Sequence, residues 1–146
     1  MDVSTKHGGS TLADARRRLR VLIVDDDRDF VQILMVLLKD QGHEPHGVYA
    51  GRYVVGSVID VEPDVVVLNT NMPDMTGSSA AHTIKSLRGS DGPVLIGISG
   101  ISGHYQSLAE KALARPVGFK YYLEKPFVHE ELLALLDNLR YRVASF

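Results

Sequence analysis

The sequence predicts an α/β fold in which a doubly wound, five-stranded parallel sheet carries helices on both faces. Short runs such as "VLIV", "VVVL" and "VLIGI" are apolar at every position, as strands buried on both faces require. Stretches with helical spacing of apolar residues alternate with them. Five such strand–helix units fit the length, and repeated βα units connect right-handedly into a parallel sheet.

The first unit is "RVLIVDDD" followed by "RDFVQILMVLLKDQG", a helix whose spacing places Phe30, Ile33, Leu34, Leu37 and Leu38 on one face and which stops near Gly42. "EPHGVYA" is a weaker second strand, and Pro45 puts it at a sheet edge because proline cannot donate to a ladder. "RYVVGSVIDV" supplies a short helix behind it. "PDVVVLN" is the third strand, leading through a loop to Gly77 and a helix over "SSAAHTIKSLR". "GPVLIGIS" is the fourth strand, with a helix over "HYQSLAEKALA" that Pro116 ends. "FKYYLE" is the fifth strand, and "HEELLALLDNLRYRVA" is a closing amphipathic helix. Residues 1–19 are polar before turning basic and read as an arm with a short helix from Thr11, leaving residues 20–146 as the folded domain.

Composition narrows the function. With 146 residues and 45% apolar content, one domain with one sizeable core is expected. Sixteen basic against eighteen acidic side chains give a net charge of −2, which offers no global attraction to nucleic acid or to an anionic membrane. The cluster Arg16, Arg17, Arg18 and Arg20 lacks base-reading aromatics and reads as a solvated arm or an interface. There is no cysteine, which removes disulfides, thiolate metal sites and thiol nucleophiles together and fits a reducing compartment. The six histidines show no ligand spacing, and His43 and His46, flanking Pro45, read as surface residues. No apolar run reaches the roughly 18 residues a membrane span needs. A cytoplasmic protein is expected.

In parallel sheets of this kind the working site lies beyond the carboxyl ends of the strands. Reading those ends in turn gives Asp25, Asp26 and Asp27, then Asn69, then Ser99, then Lys125 and Pro126. Each alone is an ordinary turn or surface residue. Together they place two carboxylates able to hold a hard divalent cation beside a hydroxyl and an ammonium, which is an anion site next to a metal.

"VLIVDDD", "PDVVVLNTNMPDMTG", "PVLIGISG" and "YYLEKPF" match, in order and spacing, the receiver domain of two-component response regulators, which the chain resembles over roughly residues 20–143. The resemblance implies a flavodoxin-like strand order 2-1-3-4-5 and a pocket in which an aspartate accepts a phosphoryl group from a phosphohistidine. By that resemblance Asp25, Asp26, the residue at 69 and the Asn71 carbonyl surround Mg²⁺. Ser99 and Lys125 face the phosphate, and Pro126 follows a stiff peptide bond, typically cis. Tyr122 pairs with Ser99 as the switch that reports to a partner surface. The implied partner is a sensor histidine kinase or a histidine phosphotransfer protein. The domain then acts as a non-enzymatic signalling module, and the end of the chain at Phe146 suggests a stand-alone receiver.

The departure falls at Asn69, where the family pattern has the phosphoacceptor Asp. An amide nitrogen lone pair is delocalised and its oxygen is weakly basic, so Asn69 is not expected to capture phosphate. The loss of one charge also weakens Mg²⁺. Asn69 fits a natural phosphorylation-independent receiver, an introduced Asp-to-Asn change, or a site where Asp74 or Asp27 substitutes. Asp74 is otherwise expected near the N-terminus of the following helix, where a carboxylate gains about 0.3–1 kcal/mol. The last helix carries Leu132, Leu133, Leu135, Leu136, Leu139 and Val143, which suits either a packed core or a homodimer surface, and the arm is a second candidate for dimerisation. Three rival functions share this sheet. A non-switching dimerisation scaffold is compatible with Asn69, whereas a Mg²⁺-dependent phosphoryl enzyme or a flavin protein conflicts with the missing nucleophile and with "DDD", which repels phosphate.

Overall fold

The computed structural model describes residues 18–99, 118–127 and 129–144, with side chains of the last helix described as far as Arg140. The expected helix over "HYQSLAEKALA", Gly100, Gly103 and Pro116, and the arm with Arg16 and Arg17, lie outside those residues. In chain order the elements are β1 (Arg20–Val24), α1 (Arg28–Asp40), β2 (Glu44–Val48), α2 (Val54–Val61), β3 (Val65–Asn69), β4 (Asn71–Met72), β5 (Met75–Thr76), α3 (Gly77–Arg88), β6 (Val94–Ser99), β7 (Tyr121–Glu124) and α4 (His129–Ala144). One-turn 3-10 helices cover Gly51–Tyr53 and Gly89–Asp91.

The sheet runs β2-β1-β3-β6-β7 with every pairing parallel, which is the expected 2-1-3-4-5 order when its five strands are counted in sequence. β2, with Pro45, is at an edge as expected. The continuous apolar runs have a direct cause. Successive side chains of a strand point to opposite faces, and here both faces are covered. Val21 and Ile23 of β1 join Val65, Val67, Ile96 and Ile98 in one cluster, while Leu22 and Val24 join Val66, Leu68 and Leu95 in the other. α1 and α4 cover the first cluster through Val31, Leu34, Leu38, Leu132, Leu136 and Leu139. α2 and α3 cover the second through Val54, Val58, Ala80, Ala81 and Ile84. Fully burying a side chain of leucine size stabilises by roughly 1.5–3 kcal/mol, so these two layers supply most of the force that holds the strand ends in place.

The face of α1 differs from the one expected. Val31, Leu34 and Leu38 form the buried stripe, whereas Ile33 is 49% exposed. At about 100° per residue, Ile33 lies too far round the helix from Leu34 and Leu38 to share their contact with the sheet. β7 begins at Tyr121 rather than Phe119, although the Lys120 N–H already donates to the Leu95 carbonyl at 2.9 Å. The stretch read as a plain loop after β3 contains a small antiparallel hairpin, Asn71 opposite Thr76 and Met72 opposite Met75. Thr76 then caps α3 by accepting from the Ser79 N–H.

His43 corrects the surface reading. Its ring is 1% exposed at the amino-terminal edge of the sheet, where Nδ1 accepts the Leu19 N–H at 3.3 Å. Arg140 of α4 places Nη2 3.1 Å from His43 Nε2 and donates to the Gln41 carbonyl at 2.6 Å. The imidazole thus satisfies a buried backbone donor just ahead of β1 and ties the last helix to the base of β1 and β2. His46 is only partly exposed and pairs with Glu44 at 2.8 Å. No described helix is long and apolar enough to cross a membrane.

Candidate functional site

From β1 the sheet grows one way to β2 and the other way to β3, so the strand order reverses between β1 and β3 and opens a crevice at their carboxyl ends. Asp25 and Asp26 follow β1, Asn69 ends β3, Ser99 ends β6 and Lys125 follows β7. Parallel register holds the last two together, since the Lys125 N–H donates to the Ser99 carbonyl at 3.0 Å. Ser99 is 7% exposed, and the Lys125–Pro126 peptide is cis.

Asp25 is the buried anion of the crevice, 1% exposed, and its charge is matched. Lys125 Nζ donates to Oδ2 at 2.8 Å, while Asn69 Nδ2 at 3.1 Å and the Asp27 N–H at 3.0 Å donate to Oδ1. A carboxylate at this depth is tolerable only with such partners. The Lys125 ammonium also lies 4.3 Å from the centre of the Phe30 ring. Asp26 is exposed, and its Oδ1 lies 3.4 Å from the same Asn69 Nδ2. The other end of the amide accepts the Asn71 N–H at 3.0 Å. A backbone N–H can only donate, so that contact assigns Oδ1 to the Asn71 side and turns the NH₂ group toward both acids.

This arrangement decides how a divalent cation would fare. Mg²⁺ wants oxygen ligands in octahedral array at about 2.1 Å, mostly anionic or carbonyl. The crevice offers two carboxylates, one already bound to Lys125, and both face N–H hydrogens of Asn69. Among the described residues no three of His, Cys, Asp and Glu come together as a metal-holding group. The residues as arranged do not fit a tightly held Mg²⁺.

The response regulator receiver domain model matches residues 21–137. The chain belongs to the receiver domain family. Response regulator MprA of Mycolicibacterium vanbaalenii is 32% identical over 121 residues, covering 83% of this chain and 50% of that protein. The chain therefore spans about half the length of the curated relatives it matches. The beryllofluoride-activated NtrC4 receiver domain dimer superposes with a TM-score of 0.69 at 29% identity, over 86% of this chain and 98% of that one. The receiver domain of the Francisella response regulator 1452 shares the fold with a TM-score of 0.73 at 23% identity, over 86% and 98%.

Tyr122 of β7 meets a hydroxyl from the loop that follows β3. Tyr122 OH lies 2.9 Å from Thr70 Oγ1, and Thr70 Oγ1 donates to the Ile98 carbonyl at 3.4 Å. Thr70 follows Asn69 directly, so its position beside the site was visible in the sequence; that its hydroxyl would meet a residue fifty-two positions on was not. Gly97 makes room for this contact. It is paired with Tyr122 across the β6–β7 ladder, and a Cβ there would lie 2.9 Å from two Tyr122 ring carbons and 3.1 Å from the Phe119 ring. Gly97→Ala is expected to push the Tyr122 ring outward, break its bond to Thr70 and cost about 1–3 kcal/mol. Urea denaturation and the side-chain NMR signals of Tyr122 and Thr70 check this. Unchanged stability with an unmoved ring would contradict it.

Asp74 caps a different helix from the one expected. Its carboxylate accepts the Gly51 N–H at 2.9 Å and the Arg52 N–H at 3.0 Å, with the Arg52 guanidinium at 3.2 Å, so it serves the one-turn helix upstream rather than α3. Those backbone donors lower its pKa below the ordinary carboxylate value. The hairpin turn carries Asp74 back across to residues 51 and 52, which sequence proximity to α3 concealed. Asp27 is also engaged, accepting the Phe30 N–H at 3.2 Å as the cap of α1.

Proposed function

We propose that this receiver signals through protein contacts without becoming covalently phosphorylated, because Asn69 stands where the family's phosphoacceptor aspartate would be. The observation that carries the reading is the seat of Asn69 at the end of β3, hydrogen-bonded to Asp25 and Asp26 and across the pocket from Lys125. An acyl phosphate needs a carboxylate oxygen as nucleophile, and the amide offers none. Neither alternative acid is free to replace it. Asp27 and Asp74 are both committed to backbone N–H groups at helix starts. In this reading Asp25 and Lys125 keep the pocket's electrostatic frame, and Ser99 and Tyr122 line the route toward a partner.

The partner class is a sensor histidine kinase or a histidine phosphotransfer protein. A cavity of about 450 Å³ lined by Asp27, Phe30, Lys125, Pro126, Phe127 and His129 supports that reading, since it opens beside the pocket and combines aromatic surface with both charge signs. A homodimer through the last helix or the arm belongs to the same reading; the related NtrC4 receiver was solved as a dimer.

Incubation with acetyl phosphate, followed by intact-mass measurement, tests the central claim. The present chain is expected to gain no phosphoryl group, while Asn69→Asp gains one. A stoichiometric acid-stable, hydroxylamine-sensitive phosphoryl group on the present chain would falsify it.

A further inference from the structure

We infer that the Asn69 carboxamide takes the place of a divalent cation in this pocket, holding the acid pair so that the receiver is structurally complete without metal. The inference rests on reading Asn69 as the acceptor position and deepens it. It concerns what the amide does for the fold, where the proposed function concerns what the amide cannot do for chemistry.

The juxtaposition is specific. One nitrogen, Asn69 Nδ2, lies 3.1 Å from Asp25 Oδ1 and 3.4 Å from Asp26 Oδ1, and it carries two hydrogens to share between them. A hard cation would bind through those same two oxygens. The NH₂ group already faces them and would point its hydrogens at the ion. To present its oxygen to a cation the amide must turn over, which gives up both bonds to the acids. It also places NH₂ against the Asn71 N–H, donor against donor, in place of the present 3.0 Å bond. Three hydrogen bonds therefore oppose metal entry.

The charges agree with the geometry. Asp25, Asp26 and Lys125 sum to a single net negative charge, and Lys125 already occupies Asp25 Oδ2 at 2.8 Å. An aspartate at position 69 would set a third carboxylate within hydrogen-bonding distance of the first two. Three anions at that spacing repel strongly enough to demand a cation. The amide removes that demand by being neutral and a donor at once. The single exchange of oxygen for NH₂ converts a repulsive trio into a closed network.

The test compares melting of the full chain, Asn69→Asp and Asn69→Ala in EDTA and in millimolar MgCl₂, with calorimetric titration of MgCl₂ into the unsubstituted chain. The unsubstituted chain is expected to melt at the same temperature in both buffers and to give no saturable heat. In EDTA, Asn69→Asp is expected to melt a few degrees lower, about 3–5 °C for a destabilisation near 1 kcal/mol at this chain length, and to regain most of that loss with Mg²⁺. Asn69→Ala, which loses the bridge without adding charge, should melt below the unsubstituted chain in EDTA and respond less to Mg²⁺ than Asn69→Asp. Saturable submillimolar Mg²⁺ binding by the unsubstituted chain overturns the inference, and so does an Asn69→Asp melt in EDTA equal to that of the unsubstituted chain. If Asn69→Asp does not fold, the calorimetric titration alone decides. A chain that binds Mg²⁺ but takes no phosphate from acetyl phosphate would defeat this inference and leave the proposed function standing; one that takes phosphate would defeat the proposed function directly.

Discussion

Lys125→Met is expected to destabilise the receiver by about 3 kcal/mol, the low end of the cost of removing one partner from a buried ion pair. The low end applies because Asp25 retains two donors, Asn69 Nδ2 and the Asp27 N–H, when the ammonium is gone. Methionine keeps an unbranched stem to lie against the Phe30 ring, so the loss reports the charge rather than a void. The effect is large because Asp25 is 1% exposed and its Oδ2 depends on the Lys125 ammonium at 2.8 Å. A second substitution sharpens the result. Adding Asp25→Asn to Lys125→Met removes the stranded charge, and the pair is expected to recover at least about 1 kcal/mol over Lys125→Met alone. Urea denaturation of the four proteins completes the cycle. If Lys125→Met stays within about 0.5 kcal/mol of the unsubstituted chain, the pair at 2.8 Å is not the buried interaction described here.

The second large effect is a loss of stability on mild acidification, centred on His43. Burial, and secondarily the Arg140 guanidinium beside the ring, lower its pKa from 6.5 to about 4. The folded state therefore releases its proton more readily than the unfolded chain does. Between those two values the unfolded chain binds a proton that the folded one refuses, and each unit of difference is worth about 1.4 kcal/mol. Stability should be level above pH 6.5, fall by up to about 3 kcal/mol as the pH drops toward 4, and level off for this group below that. Glu44, held by His46, and Asp74, held by backbone N–H groups, also have lowered pKa values. Their stabilisation is present above the ordinary carboxylate values of 4.5 and 3.8 and is lost as the pH falls through and below them, so it overlaps only the lower end of the histidine step. His43→Gln keeps an acceptor for the Leu19 N–H without a titrating ring, and its stability is expected to be nearly flat from pH 6.5 to about 5, where the unsubstituted chain already declines. An unsubstituted chain equally flat over that window would rule out the buried neutral imidazole.

Much of the site is legible in the sequence because strand ends converge in a parallel sheet. Once "VLIV", "VVVL", "VLIGI" and "YYLE" were strands, the residues after them had to lie along one edge, and Asp25, Asp26, Asn69, Ser99 and Lys125 do lie there. What the sequence did not reveal were the partners of groups whose bonds cross the chain. Asp74 is expected near the N-terminus of the helix that begins three residues on and instead reaches residues 51 and 52. Tyr122 was matched to Ser99, and its hydroxyl was found against Thr70. His43, in a polar stretch beside a proline, gave no sign that it would be buried under Arg140.

By itself the sequence determined the layered α/β architecture, the strand order through its family resemblance, and the presence of an amide among the acids. Those follow from local patterns: apolar periodicity, breaker residues and the identity of each strand's last residue. Only the tertiary structure decided which way the Asn69 amide faces, that a backbone N–H at residue 71 compels it to, and that Lys125 and Asp25 pair across a hundred residues. Hydrogen bonds depend on direction and on distances of a fraction of an ångström, and those are properties of the assembled sheet rather than of any stretch of chain.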